Sequence, residues 1–322
     1  MTSSTTTAFA TSLVPTVSPL AFAGTGGPSV VIAPTTRGRT GGEILVNTTT
    51  SGAQLTPLIV NLSNGGFAVV WQDRGTDAQG DIRAQTYSAA GQPVGAEILL
   101  SLATLNEQSE ATVTALAGGG YVVAWRDLSQ GVGGTPGDSN GWAIKGRMIG
   151  NDGVPLGGEM VLNSHIDGSQ VQPQITSLST GGFIATWLDT STTGGDTSGN
   201  SIRARVFDAS GAPLGPDFLV NTFTDDVQVT QSVTVLSNGG FVVTWQSFSF
   251  TNGDGNNYAV KAQVFTATGD KLGGEFLVNT ATEGFQQNAE VVALAGGGFA
   301  VTWLDNSLGN GGATGDTSGF AI

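Results

Sequence analysis

One unit recurs five times between Glu43 and the end of the chain, and its internal spacing is rigid. Each copy opens on an acidic residue, as in "GGEILVN": Glu43, Glu97, Glu159, Asp217 and Glu275. Eleven residues on stands a glutamine (Gln54, Gln108, Gln170, Gln228, Gln286), and seventeen after that a tryptophan (Trp71, Trp125, Trp187, Trp245, Trp303). A basic residue, Arg83, Lys145, Arg203 or Lys261, precedes each following acidic one by fourteen. Length changes only between tryptophan and basic residue, where the interval is 12, 20, 16 and 16 positions. A fixed scaffold with one adjustable loop per unit marks a repeat architecture, in which each unit packs on its neighbours. That packing is also how 322 residues escape the size limit of a single core.

The units read as strands. Fifty glycines and only 11 % charged residues leave little for solvated helices, and long amphipathic helical patterns are absent, so the chain reads as all-β. In the copy opening at Asp217 four strand-like runs follow one another: "DFLVN" (217–221), "QSVTVL" (231–236), "FVVTWQ" (241–246) and "YAVKAQVF" (258–265). Turns built on "SNGG" and "DASG" supply the positive-φ positions of tight hairpins. The third run reads "FAVVW", "YVVAW", "FIATW", "FVVTW" and "FAVTW", apolar or Thr at every position. A half-wet strand alternates, so this one is covered on both faces. Four-stranded units stacked face to face around an axis predict a β-propeller of about five blades over residues 28–322, with tandem β-sandwich-like repeats as the alternative. Residues 1–27 are Thr-, Ser- and Pro-rich and read as a disordered or extended tail. Within it "PLAFAG" (19–24) resembles a small-residue cleavage site, but no basic residue precedes it as a signal peptide requires.

A net charge of −14 argues against nucleic acid and anionic membrane surfaces, and no run approaches the ~20 apolar residues that span a bilayer. Zero cysteines exclude disulfides, thiolate metal sites and a cysteine nucleophile.

The recurring tryptophans, with the Phe or Tyr four residues before each, point to one blade face and read as core. Trp142, in "SNGWAI" beside the longest complete loop, lies outside that set and is a candidate ligand contact. The glutamines read as satisfying backbone groups where the chain crosses between blades. The acidic and basic residues read as surface ion pairs, which are worth little.

The adjustable loops collect carboxylates. Two residues after four of the tryptophans comes Asp73, Asp127, Asp189 or Asp305, with Ser247 in the fourth copy. A "GD" follows in the return limb at Asp138, Asp196, Asp254 and Asp316. Hard cations take several oxygen ligands from such groups, so Asp127, Asp138, Asp189, Asp196, Asp254, Asp305 and Asp316 are candidate ligands for calcium, with Asp189 and Asp196 the best pair. Capping of ordinary turns is the competing account of the same residues. The lone histidine, His165 in "NSHIDG", reads as a solvated loop residue, and nothing like "GxSxG" accompanies it. Carboxylate-only chemistry of the glycosidase kind stays open, since a propeller can bring loop aspartates from several blades to one face.

The stretches "GGFVVTW" (239–245), "RARVFDASGAPLG" (203–215) and "GGEFLVN" (273–279) resemble a repeat of large secreted or surface proteins of proteobacteria, haemolysin-type calcium-binding or adhesin-like. The likeness covers residues 43–322, but the calcium nonapeptides of such proteins are missing here. It implies an extracellular or cell-surface location and a non-enzymatic role in adhesion, scaffolding or ligand binding, with calcium ordering the loops, a glycan or protein surface ligand, and self-association. A carbohydrate-binding or carbohydrate-active propeller, or an inert spacer, is the alternative. The two are told apart by symmetry: an enzyme places unlike residues together at one site, whereas a multivalent binder repeats the same ones.

The ends also carry an expectation. Counting fourteen back from Glu43 reaches Ser29, in "PSVVIAPTTRGRTGG". A strand over 29–33, followed by Glu43–Asn47, would complete the unit begun by Gln286–Trp303; the alternative is that residues following Ile322 do so.

Overall fold

The structure, a computed structural model, describes residues 29–31, 42–75, 79–130, 138, 140–224, 227–248, 258–308 and 319–322. The 19–24 segment lies outside them. Every regular element among the described residues is a strand, and all pairing is antiparallel. A short ladder joins β1 (Ser29–Val31) and β2 (Glu43–Leu45). Four sheets of four strands follow. The first holds β3 (Gln54–Asn61), β4 (Phe67–Asp73), β5 (Asp81–Tyr87) and β6 (Pro93–Leu99). The second holds β7 (Gln108–Ala115), β8 (Tyr121–Asp127), β9 (Ala143–Ile149) and β10 (Met160–Val161). The third holds β11 (Gln170–Ser177), β12 (Phe183–Asp189), β13 (Ser201–Phe207) and β14 (Phe218–Leu219). The fourth holds β15 (Val227–Val235), β16 (Phe241–Phe248), β17 (Tyr258–Phe265) and β18 (Lys271–Leu277). A pair, β19 (Gln286–Ala293) and β20 (Phe299–Asp305), ends the series.

The sheets are out of phase with the sequence unit. Each opens on the glutamine strand and takes its last strand from the acidic run of the next unit. The turn chemistry explains the first hairpin of each sheet. In "STGGF" Gly181 has φ +96°, a region L residues avoid, and a Cβ on Gly182 would collide with the Phe207 carbonyl oxygen across the sheet.

The apolar middle strands are covered on both faces, as their pattern requires. β12 is buried at all seven positions. Trp187, Phe183 and Ala185 pack on Val122, Ala124, Ile144 and Leu162 of the preceding sheet. Trp125 and Tyr121 likewise pack on Ala68, Val70 and Ile82, and Trp245 and Phe241 on Ile184, Ile202 and Val220. Trp71, Trp125, Trp187 and Trp245 have no exposed surface, and burying such a side chain contributes about 1.5–3 kcal/mol or more. Trp303 is only half-buried.

The first strand of every sheet, β3, β7, β11, β15 and β19, contributes to the wall of one common pocket. Five sheets stacked face to face around a shared axis are a β-propeller of five units, four of them complete four-stranded blades. Tandem sandwiches have no such common axis. The fifth blade shows the pair β19–β20, and β1–β2 forms a separate ladder that packs Ile44 and Val46 on Phe67, Val69, Trp71 and Tyr87 of the first blade.

Candidate functional site

Two regions gather polar groups: a network repeated around the rim and a pocket on the axis. At the rim each aspartate after a tryptophan caps the turn it opens. Asp189 Oδ1 accepts hydrogen bonds from the Ser191 amide (2.9 Å) and Gln170 Nε2 (3.5 Å). Its Oδ2 takes Arg203 Nε (2.5 Å), and Arg203 Nη1 reaches Asp217 (2.9 Å). The triplets Asp73–Arg83–Glu97 and Asp127–Lys145–Glu159 repeat the arrangement. These are not the surface pairs expected from the sequence. Lys145 and Arg203 are 3 % and 4 % exposed, because the basic residue stands on the third strand beneath the loops. In the fourth unit Ser247 replaces the aspartate; Lys261 keeps Glu275 at 3.0 Å and gains the Phe223 ring, 4.7 Å from its Nζ.

The opening acidic residues also tie blades together. Amides of Thr48, Leu102, Ser164 and Thr222 donate to Glu97, Glu159, Asp217 and Glu275 at 2.5–2.6 Å. The glutamines do what the sequence suggested: Gln170 Nε2 donates to the Asp167 carbonyl and its Oε1 accepts from Asn163, with Gln286 bonded in the same way.

Asp138 accepts from the Asn140 amide (3.0 Å) and Asn163 Nδ2 (2.9 Å), and Asp196 from the Ser198 amide and Asn221 Nδ2 (both 3.1 Å). Burial is the main cause raising both carboxyls above their ordinary range. Asp305 accepts from Gln286 Nε2 (3.3 Å) and the Ser307 amide (2.7 Å). Asp127 is held by Lys145 and by the Ser129 amide and hydroxyl. Asp254 and Asp316 lie outside the described residues. Among those residues no group of three or more His, Asp or Glu side chains is placed to hold a metal ion.

His165 is stitched into the rim rather than solvated. Its Nε2 lies 3.1 Å from Ser191 Oγ and from Thr193 Oγ1, and 3.8 Å from Asp189 Oδ2. A nucleophile–base–carboxylate relay needs serine and carboxylate on opposite ring nitrogens. Here both face the same one.

On the axis the five units diverge. Two residues past each glutamine the register slips, and a non-glycine residue adopts left-handed backbone: Thr56, Glu110, Gln172, Thr230 and Asn288, with φ between 47° and 55°. Each such bulge costs of the order of 1–2 kcal/mol, and strain of this kind concentrates where a fold positions ligand groups. The pocket they surround has a volume of about 530 Å³, within the range of small-molecule sites. Glu110, Gln172, Gln231 and Glu290 supply much of its polar wall, and Leu58, Val113 and Pro173 part of its apolar one.

Bonds around the ring hold these groups. Glu110 Oε2 accepts from the Gln172 amide (2.9 Å), Gln231 Nε2 donates to the Gln172 carbonyl (2.6 Å), and Glu290 Oε2 accepts from Ser232 Oγ (2.9 Å). Gln231 is 6 % exposed, and its Oε1 has no hydrogen-bond partner among the described residues. Trp142 connects to this site from the rim. It is half-buried, with the Arg126 guanidinium 4.2 Å from its ring centroid, and Arg126 Nη1 pairs with Glu110 Oε1 at 2.9 Å.

Glu110 and Glu290 did not stand out in the sequence, where attention fell on the loops. The signal was present: two and four residues past a fixed glutamine the repeat reads Thr-Leu, Glu-Thr, Gln-Gln, Thr-Ser and Asn-Glu, no two alike.

No family model and no curated protein matches the chain. Solved structures similar to it include an α-L-arabinanase of Penicillium chrysogenum with arabinobiose, 14 % identical with a TM-score of 0.49, covering 82 % of this chain and 83 % of that one. A GH93 α-L-arabinofuranosidase of Fusarium graminearum, also with arabinobiose, is 12 % identical with a TM-score of 0.48 and covers 83 % and 79 %. A protein of unknown function from Dyadobacter fermentans is 10 % identical, TM-score 0.49, covering 79 % and 75 %. Likeness at this level concerns architecture and assigns no residue a role. The expectation of a non-enzymatic adhesion, scaffolding or ligand-binding protein with calcium-ordered loops is nevertheless corrected. The repeated symmetry on which it rested fails at the axis, where unlike residues of different units line one cavity.

Proposed function

We propose that the axial pocket binds a carbohydrate, which makes the protein a carbohydrate-binding or carbohydrate-active propeller. The observation that carries this reading is the convergence, in one cavity lined by all five otherwise uniform units, of unlike polar groups from four of them. Gln231 Oε1 is a buried acceptor available to a sugar hydroxyl, and Glu110 and Glu290 are acceptors fixed by neighbouring donors. Apolar Leu58, Val113 and Pro173 suit the C–H face of a pyranose or furanose ring. The surrounding charge is acidic overall, which favours a neutral saccharide over a uronate.

Should the bound glycosidic bond be cleaved, Glu110 and Glu290 are the carboxylates on which acid–base chemistry would rest, since hydrolysis of such bonds needs a pair. Calorimetry and product analysis against a panel of neutral oligosaccharides, arabinobiose among them, test the proposal. Glu290→Gln and Gln231→Ala are expected to weaken binding at least tenfold. Binding unchanged in both variants, or no binding across the panel, would overturn it.

A further inference from the structure

The residue one past the tryptophan reaches across to the next blade in three units, and each time by a neutral contact. Gln72 Nε2 donates to the Gln108 carbonyl (3.0 Å), and Gln246 Oε1 accepts from the Asn288 amide (3.4 Å). Leu188 shares an apolar cluster with Val229. The second unit carries Arg126 at this place, and its guanidinium is turned to its own blade. Nε donates to Ser109 Oγ (2.9 Å), Nη1 pairs with Glu110 Oε1 (2.9 Å), and Nη2 lies 3.6 Å from Glu107 Oε1.

Trp142 accounts for that turn. Three residues before the basic one the units carry Gly80, Trp142, Asn200 and Tyr258. A Cβ on Gly80 would stand 2.5 Å from Gln72 Nε2, so bare backbone there lets Gln72 pass to the next blade. Trp142 fills the corresponding place in the second unit, and its ring centroid lies 4.2 Å from the Arg126 guanidinium, a range at which a ring face attracts a cation.

Glu110 is thereby gripped at both oxygens. Arg126 holds Oε1, and the Gln172 amide holds Oε2 at 2.9 Å. Gln172 stands two residues after Gln170, whose own amide donates to the Trp142 carbonyl (2.8 Å). Both grips therefore return to Trp142, in a closed circuit across the seam between the second and third blades. Charge alone would not fix the pair, since its side chains are 24 % and 35 % exposed and such pairs hold little. The stacked ring and the backbone amide supply the missing constraint.

We propose that Arg126 and Trp142 are positioning residues of the axial site: Trp142 seats Arg126, and Arg126 aims Glu110 into the pocket. Trp142 then serves the ligand through the arginine rather than by touching it. That the ligand is a saccharide rests on the function proposed above; the positioning of Glu110 does not.

Amide NMR on the ligand-free protein tests the positioning. Arg126→Gln is expected to shift the Gln172 amide signal, because Glu110 swings away from it. Trp142→Ala keeps the backbone bond to Gln170 and is expected to shift that signal in the same direction. Trp142→Phe retains a ring beneath the guanidinium and is expected to restore it. Calorimetry with arabinobiose and other neutral oligosaccharides is the second arm. Arg126→Gln and Trp142→Ala are each expected to weaken binding about tenfold, and the double variant no further, as for groups in one chain of contacts. A Gln172 signal unmoved in either single variant, no restoration by Trp142→Phe, or additive losses in the double variant would overturn the proposal. A Gln172 signal that moves as expected while no saccharide binds would uphold the positioning and refute the saccharide.

Discussion

Around the rim the same residue types meet in unit after unit, whereas along the axis no two units present the same pair of side chains. The rim network of glutamine, asparagine, turn aspartate, basic residue and opening acid recurs with two departures, Ser101 for the asparagine and Ser247 for the turn aspartate. Its bonds run within a blade and across to the previous one, so it serves the stacking that every unit needs. The axial positions carry the same strained backbone five times but four different residue types, threonine alone occurring twice. Shared strain with unshared chemistry is what separates a site from a scaffold. On the reading proposed above, stability belongs to the rim and recognition to the axis.

The largest expected effect breaks the rim. Asp189→Ser gives the third unit the chemistry of the fourth and leaves buried Arg203 with Asp217 as its one carboxylate, beside the Gly194 carbonyl. Removing one partner of a buried pair costs roughly 3 kcal/mol, read from urea denaturation. Saccharide affinity is expected to survive. A loss near zero would mean that Arg203 resettles on Asp217 and the triplet is no more than a pair.

A smaller effect has the opposite sign. Thr230 is β-branched and held at φ 55°, where glycine is at ease. Thr230→Gly is expected to raise stability by about 0.5–1 kcal/mol, the released strain outweighing the added chain entropy. If stability falls instead, the bulge is not strained and the contrast between axis and rim weakens. Glu290→Gln, exposed and outside the rim network, is expected to change stability by less than about 0.5 kcal/mol while abolishing what the pocket does.

The smallest effect concerns pH. Burial raises the Asp138 and Asp196 carboxyls, so the folded protein holds those protons more tightly than the unfolded chain. In the window just above the ordinary value of 3.8 the folded state therefore binds more protons, and this contribution to stability is lost as pH rises through the shifted values. Replacing Asp196 by Asn should flatten that part of the profile in stability measurements between acid and neutral pH. An unchanged profile would mean that other groups set it.

Most of the architecture was legible because packing imposes itself on every copy. The fixed intervals gave the blade, and the doubly apolar run in "FIATW" gave its two covered faces. The phase was not legible: which run joins which sheet depends on hydrogen bonding between units, and a repeat looks the same from any starting point. Burial of the ion pairs was hidden as well, since Arg203 and Asp217 read alike whether they stand in water or under a loop. The axial groups were missed for a different reason. Glu110 and Glu290 are far apart in sequence, and only the closing of the ring makes them neighbours of one cavity.

The central claim is that one axial pocket, rather than the repeated loops, recognises a saccharide. Chemical-shift mapping of amide-labelled protein titrated with neutral oligosaccharides tests it most directly. The account predicts perturbations at Glu110, Gln172, Gln231 and Glu290, saturating with a single stoichiometry, and little change at Asp138 or Asp196. Equal shifts spread over the loops of every unit, with the axial amides silent, would contradict it.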